Sequence, residues 1–391
     1  MEAFFSNNFT AAVSFFFVFA VVTCVLATIV TKLAVAIKDK MHLPEGVVAG
    51  ILIGAITSIP ELITAIATTA LGTNASAGYN PSAVFGDVIG SNMFCLLILA
   101  VLIIITIKMF KHREADQINT ITLICLVFGA LMCILAVLFE NNGIVYDYET
   151  NPSPFVWHGF NFFSILIFLS YAIAVAFMFV GSKLKQPAAV VGKGVGVQQT
   201  LPPEMKGKRS KFLRLKIGVL IPLLIVGVVA LSVSSLVLAS SCSGCIDHWQ
   251  LGEVFGRTLL LGIATSLPEL VAVATLAIEK RYNMMINSMT GSCAFNMIIL
   301  FICNCVYAAI WTPGMNPMFP QPKVSNSVVA EVIFFILMCV FMILYLIINS
   351  AHIKSRLNKK WIVGINVTLC SLTIIPYILY ILLGAIQNVV V

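Results

Sequence analysis

The stretch Thr57-Ser58-Ile59-Pro60-Glu61 occurs a second time as Thr265-Ser266-Leu267-Pro268-Glu269. Each copy lies inside an apolar run long enough to cross a bilayer. A carboxylate at membrane depth costs from about 2.5 kcal/mol upward. Two such costs, each beside hydroxyls and a proline, imply a function: a cation site at the membrane midplane, built from two halves of one chain.

Composition agrees. Of 391 residues, 60% are hydrophobic and 10% are charged, where a soluble domain carries roughly 25% charged. The sequence therefore describes an all-α, polytopic membrane protein. The N-terminal Met1-Glu2-Ala3 has no basic region, so no cleaved signal peptide is expected. Of eleven cysteines, all but Cys242 and Cys245 fall in apolar runs, where thiols pack as small hydrophobes. Cys242-Ser243-Gly244-Cys245 is expected in an outer loop, as a disulfide or as two inert thiols; with no second such pair, zinc finds little support.

Ten apolar segments are long enough to span: 11–37, 46–71, 82–107, 118–139, 156–181, 213–240, 252–278, 283–310, 327–350 and 361–388. The one long polar stretch, 182–212, holds Pro187, Pro202, Pro203 and many lysines. It reads as a flexible linker. The chain thus divides into a first five-helix unit (1–181), a linker, and a second unit (213–391). With the linker in the cytoplasm, alternate threading puts 21 Lys and Arg inside and only Arg257 and Lys323 outside. That asymmetry orients the chain with both termini outside. The net charge of +7 is thereby explained without nucleic acid. The expected partners are the bilayer and transported cations, with an anionic-lipid contact of the basic linker as an option.

Segment two then runs outward and segment seven inward, so the repeated motifs have opposite membrane polarity: ten helices in two inverted five-helix repeats, a recurrent plan of secondary transporters. The repeat extends to Gly90-Ser91-Asn92-Met93-Phe94 and Gly291-Ser292-Cys293-Ala294-Phe295 on segments three and eight. In a helix, Thr57, Ser58 and Glu61 share a face, as do Thr265, Ser266 and Glu269. Pro60 and Pro268 each remove a backbone donor. Hydroxyls, carbonyls and carboxylates are hard donors that suit Ca²⁺, Mg²⁺ and Na⁺. Asp87 reads as a third buried acid, one turn before Ser91, and its counterpart Ser288 is neutral. The plainer alternatives are a structural proline kink, a protonated core glutamate, and for Asp87 a helix–helix hydrogen bond. Two matched copies at opposite polarity argue against the first two. Glu253 and Glu331 fall near helix ends and read as interfacial. No histidine is placed in the core as a proton relay, and no nucleophile–base set appears, so no enzyme activity and no resident cofactor are expected.

These residues resemble the cation/calcium antiporter superfamily, which includes the sodium/calcium exchangers. Its two repeats each carry a G-T-S-x-P-E helix followed by a G-N-x-x-G-S-N-x-F-N helix. The resemblance covers about 50–105 and 258–310. It implies exchange of Ca²⁺ against Na⁺ or another cation, and looks to Thr57, Ser58, Glu61 and Ser91, with Thr265, Ser266, Glu269, Ser292 and Asn296, as ligands. The sequence departs from the pattern at Ile56 and Ala264, which replace glycine. It departs again at Cys95, which replaces the final Asn or Asp, and at Asp87 and Ser288, which replace the Asn of G-N. The expected function is a plasma-membrane antiporter of Ca²⁺ and Na⁺ working by alternating access, with an H⁺-coupled exchanger of Ca²⁺ or another divalent ion as the alternative. Segments one and six, without buried charge, are implied as the sliding pair.

Overall fold

The computed structural model describes residues 4–5, 8–71, 83–110, 113–139, 155–184, 212, 215–249, 262–311, 326–354 and 359–390. The linker, Glu253 and the 250–261 part of segment seven lie outside them. Eight helices are long and apolar enough to cross a membrane: α1 (Phe9–Met41), α4 (Ala83–Phe110), α5 (Gln117–Leu138), α6 (Phe163–Leu184), α7 (Ile217–Trp249), α10 (Tyr282–Ile310), α11 (Asn326–Ile348) and α13 (Lys359–Val390). Among the described residues, one more apolar pair is long enough only when its two parts are taken together, and it is bent by 44°: a π-helical turn (Val47–Ile53) runs into α2 (Gly54–Thr57), and α3 (Ile59–Leu71) follows. In the second half, α8 (Gly262–Thr265) and α9 (Leu267–Ile278) repeat the break. The short α12 (Ala351–Lys354) turns the chain between α11 and α13.

Helix α10 is the centre. It packs against the π-helical turn, α2, α3, α4, α5, α6 and α9, and its buried residues face every direction. The closest approach is glycine on glycine: a Cβ added to Gly291 would stand 1.9 Å from the Gly50 carbonyl oxygen, and one on Gly54 2.7 Å from the Ser292 nitrogen. Small residues that let backbones touch are how membrane helices associate closely without a hydrophobic driving force.

Helices α1 and α7 form a separate layer. Ala27, Val30, Leu33, Leu220, Leu224 and Leu231 bury one another in their own cluster, and Thr23 Oγ1 lies 2.7 Å from Ser234 Oγ. The outer face, with Phe17, Val21 and Val226, is exposed; in a bilayer that face meets lipid.

The structure moves two expected boundaries. Segment five begins with a hairpin, β1 (Val156–Trp157) and β2 (Phe160–Asn161). Its turn has His158 at φ 47° and Gly159 at φ 73°, and a Cβ on Gly159 would meet Trp311 at 2.5 Å. The hairpin is tied down by buried amides: Asn161 Nδ2 donates to the Ala136 carbonyl (3.1 Å), and Asn304 Nδ2 donates to Asn161 O (3.0 Å) and Ser164 Oγ (2.7 Å). Segment six continues helically to Trp249, so Cys242 and Cys245 are not in a loop. Both thiols are free and buried, which leaves the inert-thiol reading and removes the disulfide.

Arg281 at the start of α10 grips Asp39 at the end of α1 with two bonds, 2.7 and 3.3 Å. Its Nε lies 3.5 Å from Glu279.

Candidate cation site

The site grows from the two helix breaks. Ser58 and Ser266 leave helical geometry in the same way, at φ −92°, ψ 5° and φ −88°, ψ 12°, in the sparsely allowed bridge region. Pro60 and Pro268 follow in the first turn of α3 and α9, where a missing N–H removes no helical bond. Glu61 and Glu269 fall in those same first turns, where the positive end of the helix dipole favours a carboxylate. The break therefore does two things locally: it interrupts the helix and it makes an intramembrane acid less costly.

The two halves then cross-link through hydroxyls. Ser58 Oγ lies 2.6 Å from Ser292 Oγ and donates to Glu269 Oε1 at 3.1 Å. Ser292 Oγ is 3.5 Å from the same carboxylate oxygen. In the mirror arrangement, Ser266 Oγ is 3.3 Å from Ser91 Oγ, and Asn296 Nδ2 donates to Ser91 at 3.2 Å. Thr57 and Thr265 donate back to carbonyls of their own turns, Ile53 and Gly54 in one case and Gly262 in the other. A hydroxyl donating to its backbone still presents lone pairs to a cation.

What is left over defines the chemistry. Both Glu61 oxygens, Glu269 Oε2 and Asn296 Oδ1 are buried without a hydrogen-bond partner, and Glu61 and Glu269 are close enough to interact electrostatically. Buried acceptors are normally satisfied, and an unpaired buried charge is costly. Four orphaned oxygens, ringed by hydroxyls already pinned in place, fit a desolvated hard cation as their missing partner. The halves are unequal: Glu269 is held by two serines, Glu61 by none.

Nine of the ten sequence-derived positions lie at the two breaks, in the turns beside them, or at Ser91 of α4 and Ser292 and Asn296 of α10. Asp87 is the exception and corrects the expectation of a third buried acid: its side chain is exposed, beside Glu331 of α11. The i to i+4 spacing to Ser91 gives a common face only approximately, and it does not say which neighbour covers that face. Here α11 packs against Gly86 and Gly90, turning Asp87 outward. Glu331 is corrected too. Expected at the interface, it is 4% exposed, with its carboxylate over the bare backbone of Gly86 and Gly90 and a bond from Tyr380. Two glycines four apart on segment three were the signal for room there.

The chain is a helical integral membrane protein whose two broken helices each carry a buried carboxylate, Glu61 and Glu269. Residues 11–181 and 219–384 match the sodium/calcium exchanger protein family, and the chain belongs to that family. The same fold occurs in solved structures of the sodium-calcium exchanger NCX_Mj. With 2.5 mM Na⁺ and 0.1 mM Sr²⁺ in the soak, the TM-score is 0.59 at 14% identity, covering 95% of this chain and 98% of that one. With 10 mM Na⁺ and zero Ca²⁺ it is 0.57 at 15% identity, covering 95% and 98%. A search of curated protein sequences gives no match.

Proposed function

We propose that the protein is a secondary-active antiporter exchanging Ca²⁺ for Na⁺ by alternating access. It would have ten spans in two inverted five-helix halves, and would sit in the plasma membrane with both termini outside. The ligand set is Thr57, Ser58, Glu61, Ser91, Thr265, Ser266, Glu269, Ser292 and Asn296, with Ca²⁺ and Na⁺ as cargo rather than resident cofactors. One observation carries the reading: Glu61 and Glu269, one from each half, lie close enough to interact and carry buried oxygens without hydrogen-bond partners. Family membership supports the choice of ions.

The two carboxylates supply the mechanism. Their charge balances one Ca²⁺, and Na⁺ ions compete for the same oxygens. An empty site would leave unpaired charges in low dielectric, which penalises rearrangement without cargo and so couples the two fluxes. The proton-coupled alternative drew its support from Asp87, and the exposure of that side chain favours the Na⁺-coupled reading, in which Asp87 is not a ligand.

The test is flux in proteoliposomes of purified protein with Na⁺, K⁺ and H⁺ gradients imposed in turn. Ca²⁺ uptake driven by a Na⁺ gradient alone is the expected result. Uptake that follows ΔpH and ignores Na⁺ would overturn it.

A further inference from the structure

Two sulfurs lie where the reading above uses only oxygen. Cys95 stands one turn after Ser91 on α4, and Cys293 follows Ser292 on α10; both are 0% exposed. Their thiols are within hydrogen-bonding reach of each other, and Cys95 also reaches Ser91. Cys293 Sγ lies 3.9 Å from the Asn92 carbonyl oxygen. Cys95 is close enough to Glu61 and Glu269 to interact with both electrostatically. Two other pairs of neighbouring thiols exist among the described residues: Cys242 with Cys245, packed among apolar side chains, and Cys303 with Cys305, both from the second half. The 95–293 pair is thus set apart: one thiol from each half, at the repeat boundary, beside the carboxylates and the unpartnered Asn296 Oδ1.

We propose that Cys95 and Cys293 form a two-sulfur clamp for a thiophilic divalent cation, Cd²⁺ or Zn²⁺, which competes with Ca²⁺ at the midplane. This extends the cation-site reading and rests on it. Ca²⁺ takes oxygen ligands and gains little from sulfur, whereas soft ions select thiolates. Among the described residues no three His, Cys, Asp or Glu side chains converge on one point. The clamp is two sulfurs, with the Ser91 hydroxyl in contact with Cys95 and the Asn92 carbonyl 3.9 Å from Cys293. The Glu61 and Glu269 carboxylates offset the ion's charge from alongside. Coordination displaces the thiol protons, so metal uptake releases H⁺.

The experiment titrates Cd²⁺ into the purified full-length protein and follows the ultraviolet cadmium–thiolate charge-transfer band. A saturating band is expected in the parent, suppressed by excess Ca²⁺ and lost in both Cys95→Ser and Cys293→Ser. In flux assays the ratio of Cd²⁺ to Ca²⁺ affinity should fall about tenfold in either variant. No band in the parent, or a band unchanged in both variants, overturns the clamp. Should the serine variants fail to elute as folded protein, maleimide labelling of the parent with peptide mass mapping decides instead: Cd²⁺ must shield Cys95 and Cys293, and equal labelling with and without Cd²⁺ overturns the clamp. Glu61→Gln separates the two readings, since it should lose transport and keep the band.

Discussion

At Glu61 both carboxylate oxygens are buried without a partner, while Glu269 shares one oxygen with Ser58 and Ser292. Replacing either acid by Gln keeps shape and removes the charge that balances a divalent ion. Either variant should lose Na⁺-driven Ca²⁺ uptake by about a hundredfold or more, because a buried cation without its counter-charge is costly. Vesicle flux alongside an unchanged elution profile checks this. Asp87→Asn should leave uptake and its pH profile within about twofold, since that side chain is exposed and exposed charges contribute little. Gly291 gives the opposite contrast. Its Ala variant needs Cβ where the Gly50 carbonyl already stands, and only backbone movement relieves that. Gly364 has nothing within 4 Å of the same added atom. Gly291→Ala should therefore collapse the yield of monodisperse protein, and Gly364→Ala should raise stability by up to about 1 kcal/mol, both read by thermal melting in detergent.

The elements show what a sequence reveals and what it conceals. The TSxPE pairs were legible because charge and proline are rare in apolar helices, so their recurrence carried information about place as well as chemistry. Span starts were legible from apolar runs except where backbone, not composition, decided. A hairpin held by Asn161 and Asn304 displaced the start of α6, and those amides look like ordinary helix residues until α10 is beside them. Glu331 misled for the same reason: its burial depends on bare glycine backbone in another helix. Pairing between elements also governs the link from α1 to α10. Arg281 holds Asp39 with two bonds and adjoins Glu279, whose carboxyl burial pushes above its usual range against the pull of Arg281 and Lys32. Arg281→Gln removes the cation shared by two partly buried acids, leaving Asp39 with Lys38 at 3.3 Å and Glu279 with the more distant pull of Lys32. It should destabilise by about 1–3 kcal/mol, whereas Asp39→Asn in the Arg281→Gln background should cost little more. A double-mutant cycle by thermal or denaturant unfolding measures the coupling, and additivity would show the pair to be decorative.

Across the whole molecule, two bodies of unequal cohesion share the chain. The main cluster surrounds α10 and holds the site, while α1 and α7 bury residues chiefly in a layer of their own. If α1 and α7 travel together, joining them should not stop transport. Thr23→Cys with Ser234→Cys, whose oxygens now lie 2.7 Å apart, should form a cross-link that leaves flux within about threefold, given side-chain separations that suit a disulfide. Arrest on oxidation, reversed by reductant, would show that the two helices must slip past each other instead.

The glycine crossing of Gly50 and Gly291 has a mechanical meaning. Where two backbones touch there is no side chain to change rotamer and no void to absorb a translation, so the joint can neither slide nor compress. It can only turn. Ser292 adjoins Gly291 and Asn296 follows about one turn later, close to the fulcrum, where a rotation moves atoms least. The far ends of the helices swing through the larger arc. A joint pinned this way would let the outer parts of both helices move while the residues beside Gly291 stay nearly still.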